Sequence, residues 1–159
     1  MKIVNLVQED FTNYKKPSMF IGFPKCTGKC NKLNGAVVCQ NAALYNSKTI
    51  EVAPEKLVAL YLANPLVKAL VLGGLEPFDS PEDLMELVGV FRRSTNDDIV
   101  VYTGYTEQEV KNMVAYGFLL NYPNVVIKYG RYLQGDEPHM DDVLGVKLAS
   151  NNQYARVIS

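Results

Sequence analysis

Short β-rich runs that alternate with amphipathic helical stretches predict an α/β protein. The expected form is an incomplete (βα) barrel, or a curved and mostly parallel sheet with helices outside. Two further observations shape that expectation. Several glycine-containing turns each follow a strand-like run directly, as ligand-binding loops do at the carboxyl ends of parallel strands. The chain has 159 residues, below the ~200 of a complete eight-stranded barrel. One domain over residues 1–159 is expected, because no repeat, low-complexity linker or break in composition divides it.

Ser18-Met19-Phe20-Ile21-Gly22 reads as the first strand, followed at once by a cysteine-bearing loop. Residues 55–63 read as a helix: Pro54 suits the first turn, Leu57, Leu60 and Tyr61 share a face, and Asn64-Pro65 stops it. Val67 to Leu72 is a buried strand ending at Gly73-Gly74. Ser80, Pro81 and Asp83 then form the start of a helix with a capping-box-like pair. Leu84, Leu87, Val88 and Phe91 follow the spacing of a core-facing stripe. Asp98 to Tyr102 is a strand. Thr106 and Glu109 make a second capping box, with Val110, Met113 and Val114 facing inward and Gly117 ending that helix. Val125-Val126-Ile127 is a further strand, and the last thirty residues are less regular. The cysteine loop, Gly73-Gly74-Leu75-Glu76-Pro77, Thr103-Gly104-Tyr105-Thr106 and Tyr129-Gly130-Arg131 should therefore meet on one rim.

The chain has 3 cysteines, Cys26, Cys30 and Cys39, all within one loop. Thiolates crowded on a short loop usually serve one soft metal or an iron–sulfur cluster. A cubane cluster has four irons, so three protein ligands leave one iron open. A closed zinc site needs a fourth ligand. The sole histidine, His139, lies in the polar stretch Asp136 to Asp142, where it is expected to face solvent. An odd cysteine number argues against a disulfide framework.

Lys plus Arg number 16 and Asp plus Glu 17, a net charge of −1, so no global bias points to nucleic acid or an anionic membrane. The amino terminus turns acidic at Glu9-Asp10, too early for a secretory signal, and no apolar run approaches the ~20 residues of a membrane-spanning helix. A cytoplasmic location is expected. Locally the balance differs: residues 1–50 hold Lys2, Lys15, Lys16, Lys25, Lys29, Lys32 and Lys48 against two acids. The lysines among the cysteines read either as a solvated loop or as a cationic rim. Such a rim lowers thiolate pKa values and attracts an acidic electron donor.

A cysteine loop after an early strand, with Gly73-Gly74-Leu75-Glu76-Pro77 after a later one, resembles the radical S-adenosylmethionine (SAM) enzymes. Their loop is usually C-x3-C-x2-C and holds a [4Fe–4S] cluster, while a glycine–acid turn meets the methionine amino group. Val101 to Thr106 resembles the "W/Y-T-G-Y" segment of the activating proteins of anaerobic ribonucleoside-triphosphate reductase. Val125 to Tyr132 is similar to their "VLVDGxF" stretch, Ala149 to Gln153 to their terminal "GSSNQ", and Cys39-Gln40-Asn41 to their "C-Y-N". The matches run in order from residue 18 to the end.

The chain also departs from that pattern. Eight residues separate Cys30 from Cys39, Leu75 is inserted in the glycine–acid turn, and Lys128-Tyr129 stands where the family carries an acid. Asn34-Gly35 between Leu33 and Val37-Val38 predicts a tight hairpin that returns Cys39 beside Cys30. Six added loop residues cost only about 1 kcal/mol in closure entropy.

The resemblance implies an activating enzyme that cleaves SAM reductively at a [4Fe–4S] cluster. It would install a glycyl radical on the large subunit of anaerobic ribonucleotide reductase, using a low-potential donor such as flavodoxin or ferredoxin. It implies Cys26, Cys30 and Cys39 as cluster ligands, and Val38, Gln40, Asn41, Gly73, Gly74, Glu76, Thr103 and Tyr105 as cofactor-binding residues. No residue is assigned acid–base catalysis, since cluster and SAM carry the chemistry. Two other readings stay open: an activase of a different glycyl radical enzyme, and a non-catalytic zinc or iron–sulfur module. Taken singly, the glycine turns also read as ordinary strand-to-helix connections.

Overall fold

The computed structural model describes all 159 residues. Its core is a six-stranded sheet. The strands, in chain order, include β2 (Asn5–Asp10), β3 (Ser18–Phe23), β5 (Ala69–Gly74), β6 (Asp98–Tyr102), β7 (Val125–Tyr129) and β10 (Tyr154–Val157), the numbering allowing for four short strands that pair elsewhere. Across the sheet they lie in the order β2-β3-β5-β6-β7-β10. The four central strands run parallel, and β2 and β10 close the two edges antiparallel. A largely parallel central sheet with helices is what the alternation predicts. The sheet has two edges and is not a closed barrel.

Parallel strands buried on both faces read as continuous apolar runs, and here alternate residues feed two unequal cores. Met19, Ile21, Leu70, Leu72, Ile99, Val101, Val125, Ile127 and Tyr129 point into the larger one. There they meet α2 (Pro54–Ala63), α3 (Pro81–Arg92) and α5 (Val114–Leu119), through Leu57, Tyr61, Leu84, Leu87, Phe91 and Leu119. The opposite face carries Ala69, Val71, Val100 and Val126. It is covered by no helix. Tyr14 and Leu144 cover part of it, the latter from the loop joining β8 (His139–Asp141) to β9 (Val146–Leu148). Lys15 N–H donates to Leu144 C=O at 2.7 Å and ties these two covers together. The carboxyl half of this face stays open, with Phe20, Gly73, Tyr102 and Lys128 along it. The remaining strands, β1 (Lys2–Ile3) and β4 (Ile50–Glu51), pair with each other.

Several local expectations hold and several do not. The Thr106–Glu109 capping box forms in both directions. It opens only one turn, α4 (Glu107–Val110), because Met113 is extended and a new helix, α5, begins after it. Gly117 therefore lies inside α5 and ends nothing, and Val114 is 78% exposed where an inward residue was expected. Ser80 precedes α3 as expected but does not cap it. Its hydroxyl is buried without a partner, because a 3-10 turn over Pro77–Asp79 turns the residue inward, and Asp83 instead accepts from Lys2 N–H. His139 lies in β8 and is only half-exposed, with a buried Nδ1 that has no partner, so it does not simply face solvent.

Candidate cluster site

The loop after β3 begins with Cys26, whose Sγ accepts from Gly28 N–H at 3.3 Å. Gly28 sits at φ 68 and turns the chain into α1 (Lys29–Asn34). Asn34-Gly35 is therefore not a hairpin turn: it closes this short helix, with Gly35 left-handed at φ 64. Asn34 bridges two loops instead, donating to Cys30 C=O and Tyr132 C=O and accepting from Gln134 N–H at 2.9 Å. The return of Cys39 comes from another residue: Asn31 Oδ1 accepts from both Val38 N–H at 2.9 Å and Cys39 N–H at 3.0 Å. The expected outcome, Cys39 folded back toward Cys30, is reached by a helix and a side-chain clamp.

Next comes the glycine–acid turn. Gly74 sits at φ 83, and a Cβ there would stand 2.6 Å from Gly22 Cα, so only glycine fits. A Cβ on Gly73 would meet Phe20 Cε2 at 3.0 Å. Leu75 N–H donates to Phe23 C=O and Glu76 N–H to Lys25 C=O, so the inserted residue is absorbed by pairing with the start of the cysteine loop. Asn41 Nδ2 donates to Gly74 C=O at 2.8 Å.

Glu76 is 4% exposed. Its carboxylate accepts from Phe78 N–H, from Thr103 Oγ1 at 2.8 Å and from Gly104 N–H at 2.9 Å, linking the β5 turn to the β6 turn. Burial outweighs these bonds and pushes its pKa up to about 7. Lys128, on the open face of β7, is 7% exposed, and its ammonium donates only to Gly130 C=O at 2.9 Å. Burial pushes its pKa down to about 8, against the attraction of Glu76 and Cys30.

These groups line one cavity of about 860 Å³, within the ~300–1,000 Å³ common for small-molecule sites. Cys26, Cys30, Cys39, Gln40, Asn41, Gly73, Gly74, Glu76 and Thr103 all border it. So do Tyr102, Gly104, Lys128 and Gln153, which the sequence reading did not assign. Two predicted residues stand apart. Val38 does not border this cavity, since its part is the backbone bond to Asn31. Tyr105 borders a small adjoining cleft that shares Cys26, Cys30, Glu76 and Gly104 with this cavity, and its hydroxyl donates to Asp79. Lys29 Nζ lies 4.3 Å from the Tyr105 ring centre and 3.6 Å from Glu109. Arg131 donates twice to Glu109 at 2.8 Å and holds its carboxyl down to about 2.

All three cysteines are free and half-buried. Burial raises the Cys39 thiol above its ordinary value, opposed by a hydrogen bond from the Asn41 backbone and reinforced by Cys30 and Cys26. The lysine rim does not outweigh burial there. Tyr45 is also raised, first through its hydrogen bond to Cys26. No three His, Cys, Asp or Glu side chains are grouped as ligands of a single metal ion. A cubane asks for something else: each thiolate takes its own iron, so the sulfurs stand around the cluster, not around one ion. Three free thiols spaced around one cavity fit that donor set.

Fold and site together define an α/β protein whose strand-end loops gather three thiols beside a buried carboxylate and a buried ammonium. Residues 18–154 match the family described as a 4Fe-4S single cluster domain. The chain belongs to that family, which makes it an iron–sulfur protein with a [4Fe–4S] cluster. No curated protein and no solved structure matches it. No helix is long and apolar enough to cross a membrane.

Proposed function

We propose that this protein is an activating enzyme that cleaves SAM reductively at its [4Fe–4S] cluster and installs a glycyl radical on a partner enzyme. Anaerobic ribonucleotide reductase is the partner we favour, on the ordered motif resemblance. One observation carries the reading: Cys26, Cys30 and Cys39 border the same cavity as Gly73, Gly74, Glu76 and Thr103, at the carboxyl end of a parallel sheet. Three ligands for four irons leave a corner for an exchangeable ligand. Cys26, Cys30 and Cys39 would hold the cluster, which would supply the one-electron reducing power needed to cleave the sulfonium carbon–sulfur bond.

The chain's own residues bind and orient. Gly73 and Gly74 let backbone approach a ligand closely. Glu76 offers a carboxylate to an ammonium, which would hold it ionised although burial alone favours its neutral form. Lys128 places a positive charge on the same cavity wall, within electrostatic reach of Glu76 and Cys30. The uncovered half of the sheet face leaves room for a macromolecular substrate to complete the enclosure, and exclusion of water and oxygen then depends on that partner.

The test is anaerobic reconstitution followed by SAM and a strong reductant. Iron and sulfide near four each, with 5′-deoxyadenosine formed, are expected. A fully loaded cluster that leaves SAM intact would overturn the reading in favour of a non-catalytic iron–sulfur module.

A further inference from the structure

Apolar packing does not seat the cysteine loop, because no residue from 24 to 49 is buried. Cys39 is placed by Asn31. Cys26 and Cys30 depend on the residues beside them. Thr27, next to Cys26, donates its N–H to Asp79 Oδ2 at 2.9 Å. Lys29, next to Cys30, brings its Nζ to 3.6 Å from Glu109 Oε1 and 4.3 Å from the Tyr105 ring centre. The loop is therefore anchored to the segments that follow β5 and β6.

The two anchors share one hub. The Tyr105 hydroxyl donates to the same Asp79 that holds Thr27. Over its ring lie both the Lys29 ammonium and, at 5.6 Å, the Arg131 guanidinium. Glu109 joins these two cations. Arg131 Nη2 donates to both of its oxygens at 2.8 Å, and Thr106 N–H donates to Oε2 at 2.8 Å through the capping box. Cys26, Thr27, Lys29, Cys30, Tyr105 and Arg131 line the small cleft, so the network borders two of the three sulfurs.

A lone surface ion pair contributes little. This one differs in two respects. The carboxylate is already oriented by a helix cap and by Arg131, so it needs little ordering to hold Lys29. It also bridges two like charges that share one aromatic ring. Without it, Arg131, the less exposed of the two at 14% against 43%, would repel Lys29, and Cys30 would move with its neighbour.

We propose that Glu109 is a positioning residue for the cluster: it bridges Lys29 and Arg131 across Tyr105 and so keeps Cys26 and Cys30 seated. This rests on the three cysteines as cluster ligands and does not depend on SAM.

The test measures how fast anaerobically reconstituted full-length protein loses its cluster to bipyridyl, followed by the visible absorbance. The chelator is neutral, so charge variants do not alter its approach. Glu109→Gln keeps an acceptor for the capping box but loses the charge, and it should lose the cluster at least fivefold faster than native. Glu107→Gln removes the same charge from the same one-turn helix, where the partners are Lys111 and Arg156, and it should behave as native. Both variants should unfold in urea at the same midpoint when cluster-free. Rising salt should quicken loss from the native protein by screening the Lys29–Glu109 pair, and should leave Glu109→Gln unchanged. Glu109→Gln combined with Lys29→Met should be no faster than Glu109→Gln alone.

Native retention in Glu109→Gln overturns the positioning role, as does equal acceleration in Glu107→Gln. So does a urea midpoint lowered in Glu109→Gln alone, or a double variant whose effects simply multiply. Each of these leaves the cysteine ligands in place. A native protein that takes up no cluster overturns the ligand reading along with the proposal.

Discussion

At the scale of single residues, Glu76 and Lys128 are the informative pair. A buried carboxyl held near pKa 7 binds its proton more tightly in the folded chain than in the unfolded one. Between about pH 4.5 and about pH 7 the folded state therefore carries the extra proton, and stability falls as pH rises through that window. The size is at most about 3 kcal/mol. Urea unfolding of cluster-free protein across this range should show that decline, and Glu76→Gln should flatten it. An unchanged slope in the variant would assign the decline to other groups. Lys128 has the opposite charge and a similar penalty, so Lys128→Met should stabilise cluster-free protein by about 2 kcal/mol at pH 7. With the cluster bound, losing a nearby cation should lower its midpoint potential by about 60 mV, a tenfold shift in the reduction equilibrium. An EPR-monitored titration reads that change, and an unchanged potential would confine Lys128 to a packing role. Glu76 was legible because a carboxylate after two glycines at a strand end is a local pattern. Lys128 was not assigned because its place depends on β7 running two residues past Ile127, which puts Lys128 on the same face as Val126.

At the scale of elements, the long apolar strands and α3 were readable because their own side chains decide them. Leu84, Leu87 and Phe91 bury one face whatever lies beside it. The cysteine loop is the contrary case. α1 has six residues and none is buried, which is marginal as an isolated helix. Partners distant in sequence hold it: Tyr132 and Gln134 through Asn34, and Glu109 through Lys29. No local signal reports such contacts, so Asn34-Gly35 read as a hairpin when its glycine is a helix stop. The clamp by Asn31 gives this region its prediction. Asn31→Ala leaves the Val38 and Cys39 amides without their acceptor, at about 1–3 kcal/mol, and frees Cys39 from its position. Reconstituted Asn31→Ala should hold less than half the native iron per chain, whereas Asn31→Asp keeps the acceptor and should load normally. Equal loading of both would show that cluster binding orders Cys39 without the clamp.

At the scale of the whole molecule, the decisive feature is the asymmetry of the sheet. One face carries the helices α2 to α5 and the larger core. The other is half covered by the Tyr14 segment and the β8–β9 hairpin, and its open half leads to the sulfurs. The sequence foretold strand-end convergence because each motif follows its strand directly. It did not foretell the cover, since β8 and β9 are three residues each and pair only with one another. An opening that extends from the hairpin across to β2 suits an extended chain from a partner better than a compact metabolite. Val7 on β2 and Val146 on β9, which both line the cavity, test this. Enlarging either to Trp narrows the approach without touching the cysteine loop or the glycine turn. SAM cleavage in the absence of partner should then proceed at the native rate, while the glycyl radical formed on the partner, quantified by EPR, should fall at least tenfold. Loss of both activities together would place these walls in the SAM site itself. Native radical yield with both walls enlarged would mean that the partner's chain reaches the cluster from another side.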